Sequence, residues 1–262
     1  MKFIFATLTF LLVCLSAGRA HISYINRDLG SFDPVVTRSV TITSNTVTSD
    51  FGWASGTDGN LGDSHKLKAF KFTMLSAGTI TLKAQGLSFD RSGIPIAALA
   101  LPGFSVFRGL AHESPALADH DTSVISTQFN DATYGVGNWQ GSFRALADWK
   151  IGNDDGAIFA DLSSFSYVGN AADGTSVNYG ANPGIFGDGQ ADGMVVQTLQ
   201  LDPGNYSIFV GGARYYDLAN TGGDASGSYG FLLTAATIPE PSTGALLLVA
   251  VAFLKRRRTK GD

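Results

Sequence analysis

An all-β body, an antiparallel β-sandwich of the jelly-roll kind, is what three features of the sequence predict. Short segments alternate apolar with polar or β-branched residues, which is the period-2 pattern of a half-buried strand. Glycine is abundant, at 32 of 262 residues, and supplies the turns between such segments. Between residues 21 and 238 there are 20 acids, and all but Glu113 are aspartate. Aspartate competes for its own backbone in turns whereas glutamate favours helices, so the bias points to loops.

The elements follow in order. Val40-Thr41-Ile42-Thr43 and Thr46-Val47-Thr48 alternate as a strand does. Residues 67–74 alternate, turn at Ser76-Ala77-Gly78, and alternate again over 79–84, which reads as a hairpin. A second hairpin is expected from residues 195–201, the turn Asp202-Pro203-Gly204-Asn205, and residues 206–210. Pro203 presets the first central torsion of that turn, and Gly204 admits a positive one. Residues 228–234 read as a closing strand, and helix is credible only around Leu117 and over 144–150. No proline- or serine-rich linker divides the chain, so one sandwich over 21–236 is expected instead of two.

Both ends read as export instructions. Met1-Lys2 gives a positive start, residues 3–15 an apolar helix, and Gly18-Arg19-Ala20 the small residues that a signal peptidase reads. Residues 1–20 are thus a signal peptide, with cleavage after Ala20 leaving His21 first. The only cysteine, Cys14, leaves with it, so the body has neither disulfide nor thiolate ligand. At the other end, over 237–262, Pro239-Glu240-Pro241 breaks any helix. An apolar segment over 244–254 follows, then Lys255-Arg256-Arg257-Arg258, a cluster that should stay cytoplasmic. That apolar segment is shorter than the ~20 residues needed to cross ~30 Å of hydrocarbon.

The tail resembles the PEP-CTERM sorting signal, carried by Pro239, Glu240 and Pro241, the pair Ser242-Thr243, the apolar segment and the arginines. The resemblance implies recognition by an exosortase and delivery to the cell envelope, the cell surface or the extracellular polysaccharide matrix after a transient inner-membrane stage. The two presumptive hairpins, each ending in small residues, resemble the jelly-roll domains called pre-peptidase C-terminal domains.

Without its ends the chain keeps 11 basic against 20 acidic residues, a net charge of −9 over residues 21–238. Such a body does not seek nucleic acid or an anionic membrane surface. No glycine-x-serine-x-glycine elbow is present, and a single glutamate offers no paired acid for glycoside hydrolysis. The expectation is therefore a non-enzymatic surface or matrix protein with no catalytic residues, associated with polysaccharide. Trp53, Trp139 and Trp149, with Tyr134, Tyr215 and Tyr216, lie beside polar turns where aromatic faces could stack on sugars.

Two alternatives concern metal. Asp188 and Asp192 in Gly187-Asp188-Gly189-Gln190-Ala191-Asp192-Gly193 could converge on calcium, as could Asp58 and Asp63, with Asp154-Asp155 a third cluster. That would make the body a calcium-dependent carbohydrate-binding module. The other is a secreted copper or hydrolytic enzyme. A mature chain beginning at His21 could chelate copper through its α-amino group and ring, in the manner of secreted polysaccharide monooxygenases that begin with histidine. It would need a second histidine from His65, His112 or His120, and no local motif selects one.

Overall fold

The computed structural model describes residues 21–54, 61–112, 119–120, 123–137, 139, 141–153, 158–181, 183–215 and 226–239. Its centre is an eight-stranded sheet. From one edge to the other it runs β1 (His21–Ile22), β10 (Asp119–His120), β12 (Trp149–Asn153), β13 (Ser163–Ala172), β9 (Pro102–Arg108), β15 (Gly204–Gly212), β5 (Lys68–Met74) and β2 (Asp28–Phe32). A second sheet packs on it, with β14 (Met194–Leu201), β6 (Gly78–Gly86), β16 (Ser226–Thr237), β8 (Ile94–Ala98) and β7 (Phe89–Arg91) in order, and β3 (Arg38–Ser49) also paired to β16. The all-β sandwich is therefore as the alternation predicts. Its pairing is antiparallel except for β2 on β5 and β8 on β16.

The central sheet is buried on both faces. Phe70, Phe72, Val106, Ile208 and Val210 meet Ile80, Leu82, Phe231 and Leu233 of the second sheet. Phe70 and Phe231 stand edge to face there, with centroids 5.9 Å apart. On the opposite face Phe107, Phe165, Phe209 and Trp149 pack with Trp53 and Phe143. Phe143 belongs to β11 (Ser142–Arg144), which pairs with β4 (Leu61–Asp63) as a third layer. Consecutive residues Ile208 and Phe209 thus serve different cores, which is why β9 and β15 read as near-continuous apolar runs instead of alternating ones.

Strand identity was legible in the alternation, but strand partnership was not. The two presumptive hairpins are arches between sheets: β5 pairs with β15 and β2, whereas β6 pairs with β14 and β16. The same two connections stack on each other, Met74 opposite Gly204 in one sheet and Gly78 opposite Leu201 in the other. Alternation reports that one face is buried, and both an arch and a hairpin satisfy it.

Helix is also relocated. Residues 144–150 hold the end of β11 and the start of β12, because Ala145 and Trp149 are drawn into the third-layer core. The longer helix is α1 (Val124–Tyr134), whose N-cap Ser123 accepts a hydrogen bond from Ser126 N–H at 3.1 Å. A four-residue α2 (Ser176–Tyr179) follows β13. The helix expected around Leu117 lies outside the described residues, as do residues 1–20 with Ala20, and Glu240, Pro241 and Lys255 to Arg258 of the tail. No helix among the described residues is long and apolar enough to cross a membrane.

Two tryptophans proposed for sugar stacking are core residues. Trp53 is fully buried, its indole N–H donating to Ser105 Oγ at 2.8 Å, and a Cβ on Gly103 would come within 2.8 Å of its ring. Trp149 stacks on Phe165 at 5.0 Å between centroids. The neighbouring glycines make room for the indole of Trp53 and do not expose it to ligand. Trp139 is half-buried, bonded to Asp131 at 2.8 Å and tilted against Tyr134.

Candidate metal centre

Two groups of residues have donor chemistry for a metal, and the fold places them toward opposite ends of β13. One lies beyond Ala172, where the chain leaves the sheet and crosses a loop that returns to β14. Asp173, Asp188 and Asp192 gather there, each with a carboxylate oxygen within 4.8 Å of the others. Asp173 is fully buried, while Asp188 and Asp192 are exposed.

Hydrogen bonding explains why the loop folds this way. Asp173 accepts from Asp192 N–H at 3.1 Å through one oxygen and from Gly193 N–H at 2.7 Å through the other. Asp188 accepts from Gly174 N–H and Gln190 N–H, both at 3.0 Å, and Asp192 from Met194 N–H at 3.1 Å. Backbone joins the same segments, since Ala172 N–H donates to Phe186 O at 2.8 Å and Gly189 N–H to Gly174 O at 3.0 Å. Burial pushes the Asp173 carboxyl up to about 6. The two backbone donors oppose this and the charges of Asp188 and Asp192 add to it.

Of the aspartates singled out in the sequence, the structure thus brings Asp188 and Asp192 together and adds Asp173. Asp173-Gly174 gave no signal beyond an ordinary turn after a strand. Asp63 is elsewhere, on β4, where it lies 2.9 Å from His65 Nδ1 and 3.3 Å from Lys66 Nζ, so it does not join the other two. Asp58, Asp154 and Asp155 lie outside the described residues.

The second group is built by strand pairing. His21 of β1 is the register partner of His120 of β10, and His120 is in turn the partner of Gly152 in β12. Antiparallel register partners have Cα atoms about 4.5–5.5 Å apart. His112 is exposed near the same level. Its N–H donates to Ser163 Oγ at 2.8 Å, and Ser163 is the partner of Ile151, next to Gly152. Three of the four histidines are thereby carried by one edge region of the central sheet. His65, held by Asp63, is the exception.

No family model matches the chain, and no curated protein matches it by sequence. Among solved structures the fold is similar to that of CorA, a surface-associated copper-binding protein important in copper acquisition by Methylomicrobium album BG8. That likeness has a TM-score of 0.50 at 14% identity and covers 83% of this chain and 99% of CorA. A structure of MopE, a secreted protein of Methylococcus capsulatus in which an oxidized tryptophan facilitates copper binding, matches with a TM-score of 0.41 at 14% identity. It covers 82% of this chain and 87% of that one.

Proposed function

We propose that the chain is an exported, surface-associated copper-binding protein that takes the ion at the β1–β10 edge through His21 and His120. The observation that carries this reading is their register: residues 99 apart in sequence stand directly opposite each other. Of three candidate partners for His21, His120 is the one that its strand pairs with, which supports this choice. The likeness to the fold of CorA, spanning nearly all of that protein, supports the same reading.

The donor set fits copper. Imidazole nitrogen suits copper, whereas an all-carboxylate cluster suits calcium, magnesium or manganese. The body without its leader has no cysteine, so a thiolate copper site is excluded and a nitrogen-ligated Cu(II) site is what the chain can build. Once the leader is removed after Ala20, the free α-amino group of His21 adds a nitrogen. Asp173, Asp188 and Asp192 do not fit copper. Their oxygens already organise the loop, and if they hold an ion it is a hard one.

In this reading the protein binds an ion and performs no reaction, and its two terminal segments govern location. The signal peptidase exposes His21, and the exosortase acts at Pro239-Glu240-Pro241 to place the body at the surface. A polysaccharide partner finds less support, because Trp53 and Trp149 are committed to the interior.

The test is a Cu(II) titration of the mature protein against a competing chelator, repeated with His120→Ala. Wild type is expected to take one equivalent, and the variant to lose at least tenfold in affinity while keeping its melting temperature. Equal affinity in both would refute the assignment.

A further inference from the structure

The end of the sandwich from which the chain departs toward its tail is unusually apolar. Val35, Val36, Leu75 and Ile238 are 73, 54, 59 and 72% exposed. They come from three separate segments that the fold joins. Thr237 Oγ1 donates to Val36 O at 2.8 Å, Leu75 N–H donates to Phe32 O at 2.9 Å, and Ser76 Oγ donates to Asp33 at 3.1 Å. Pro34, Val35, Ala77, Gly78, Ile238 and Pro239 line a shallow groove of about 550 Å³ at the same place. Isolated exposed apolar side chains need no explanation, but a cluster of four large ones does.

The sequence beyond the groove says what this end faces. Only six residues, 239–244, separate Ile238 from the apolar run that starts at Ala245 and closes with Lys255-Arg256-Arg257-Arg258. Fully extended, six residues reach roughly 20 Å. Whenever that run is in a bilayer, the apolar end of the body is therefore tethered within roughly 20 Å of the bilayer surface. The run is also too short to span by itself. Apolar contact by the body at the interface would supplement what the segment lacks.

We infer that Val35, Val36, Leu75 and Ile238 form a lipid-contacting rim that seats the body on the membrane before the tail is processed. The inference rests on reading the 244–254 segment as membrane-seeking and is independent of copper. The body's net charge of −9 makes the contact apolar instead of electrostatic, so it should tolerate salt.

The experiment uses the full chain in a Cys14→Ser background, with single cysteines at Val35, Leu75 and, as a control in the aspartate loop, Gln190. Each is spin-labelled and reconstituted into vesicles of neutral phosphatidylcholine. Labels at Val35 and Leu75 are expected to gain contact with oxygen and lose contact with a water-soluble nickel chelate when vesicles are added, while the Gln190 label stays aqueous. Three results would overturn the rim: no association with the vesicles, labels at Val35 and Leu75 that remain as aqueous as the control, or labels equally shielded without vesicles. The last would mean that the chain's own tail covers the groove. None of these bears on copper affinity, so the two proposals fail separately.

Discussion

The aspartate loop and the histidine edge differ in how they are made. At the loop, Asp188 and Asp192 are four residues apart, and Asp173 reaches them through backbone bonds within a span of 20 residues. At the edge, His21 and His120 are joined only because β1 and β10 pair. The loop is assembled from polar contacts that need no ion, while the edge brings two histidines distant in sequence into register. A cluster that already satisfies its own backbone is weaker evidence of a ligand than two histidines that strand pairing brings together from distant segments.

Breaking the loop should produce the largest effect on stability. Asp173→Ala leaves two backbone N–H groups, of Asp192 and Gly193, without their acceptors. Asp192 is exposed and Gly193 half-buried, so water replaces part of what these donors lose, and at about 0.5–1.5 kcal/mol per hydrogen bond the variant should lose about 1–3 kcal/mol in chemical denaturation. Copper affinity should be untouched. If it falls along with stability, the two regions are not independent.

The pH dependence sharpens the same contrast. Because burial raises the Asp173 carboxyl to about 6 from its ordinary 3.8, the folded state holds a proton that the unfolded chain has released between those values. The contribution of this group is therefore fully favourable below about 4, declines as pH rises through about 6, and is flat above. Subtracting the stability profile of Asp173→Asn from that of wild type, across pH 3.5 to 7.5, should expose this fall. A difference that rises over the window would mean that the carboxylate is stabilised by its donors more than it is penalised by burial.

A smaller effect is expected at His112. It is exposed and two strands away from β10, so His112→Ala should weaken Cu(II) by no more than a few fold, against at least tenfold for His120→Ala. An equal loss would enlarge the site to three histidines. Smallest of all should be Asp63→Ala, which loses hydrogen bonds from His65 N–H and with His65 Nδ1 and a partly solvated ion pair with Lys66. An exposed ion pair contributes about 0–1 kcal/mol and a capping hydrogen bond about 1 kcal/mol, so a thermal melt should move by only a few degrees.

What the sequence made legible follows the range of the interactions. Strands β3, β5, β6, β14 and β16 are written in local alternation, β15 in an apolar run, and the turn at Pro203-Gly204 in its own residues. The arches were not legible, because a buried face does not say which sheet buries it. Trp53 and Trp149 looked solvent-facing because glycine or polar residues flank them in sequence, yet both are buried, and Gly103 of the facing strand leaves room for the Trp53 indole. Asp188 and Asp192 carried a local signature, whereas Asp173 did not, since its role is defined by a loop that returns 19 and 20 residues later. That His120, and not His65 or His112, is the register partner of His21 was not legible until strand order was known.

The most direct measurement is a crystal structure of the mature protein, beginning at His21 and loaded with one equivalent of Cu(II), with diffraction collected on both sides of the copper absorption edge. The account predicts a single anomalous peak between β1 and β10, within bonding distance of His21 and His120. A peak among Asp173, Asp188 and Asp192, or beside His65, would contradict it.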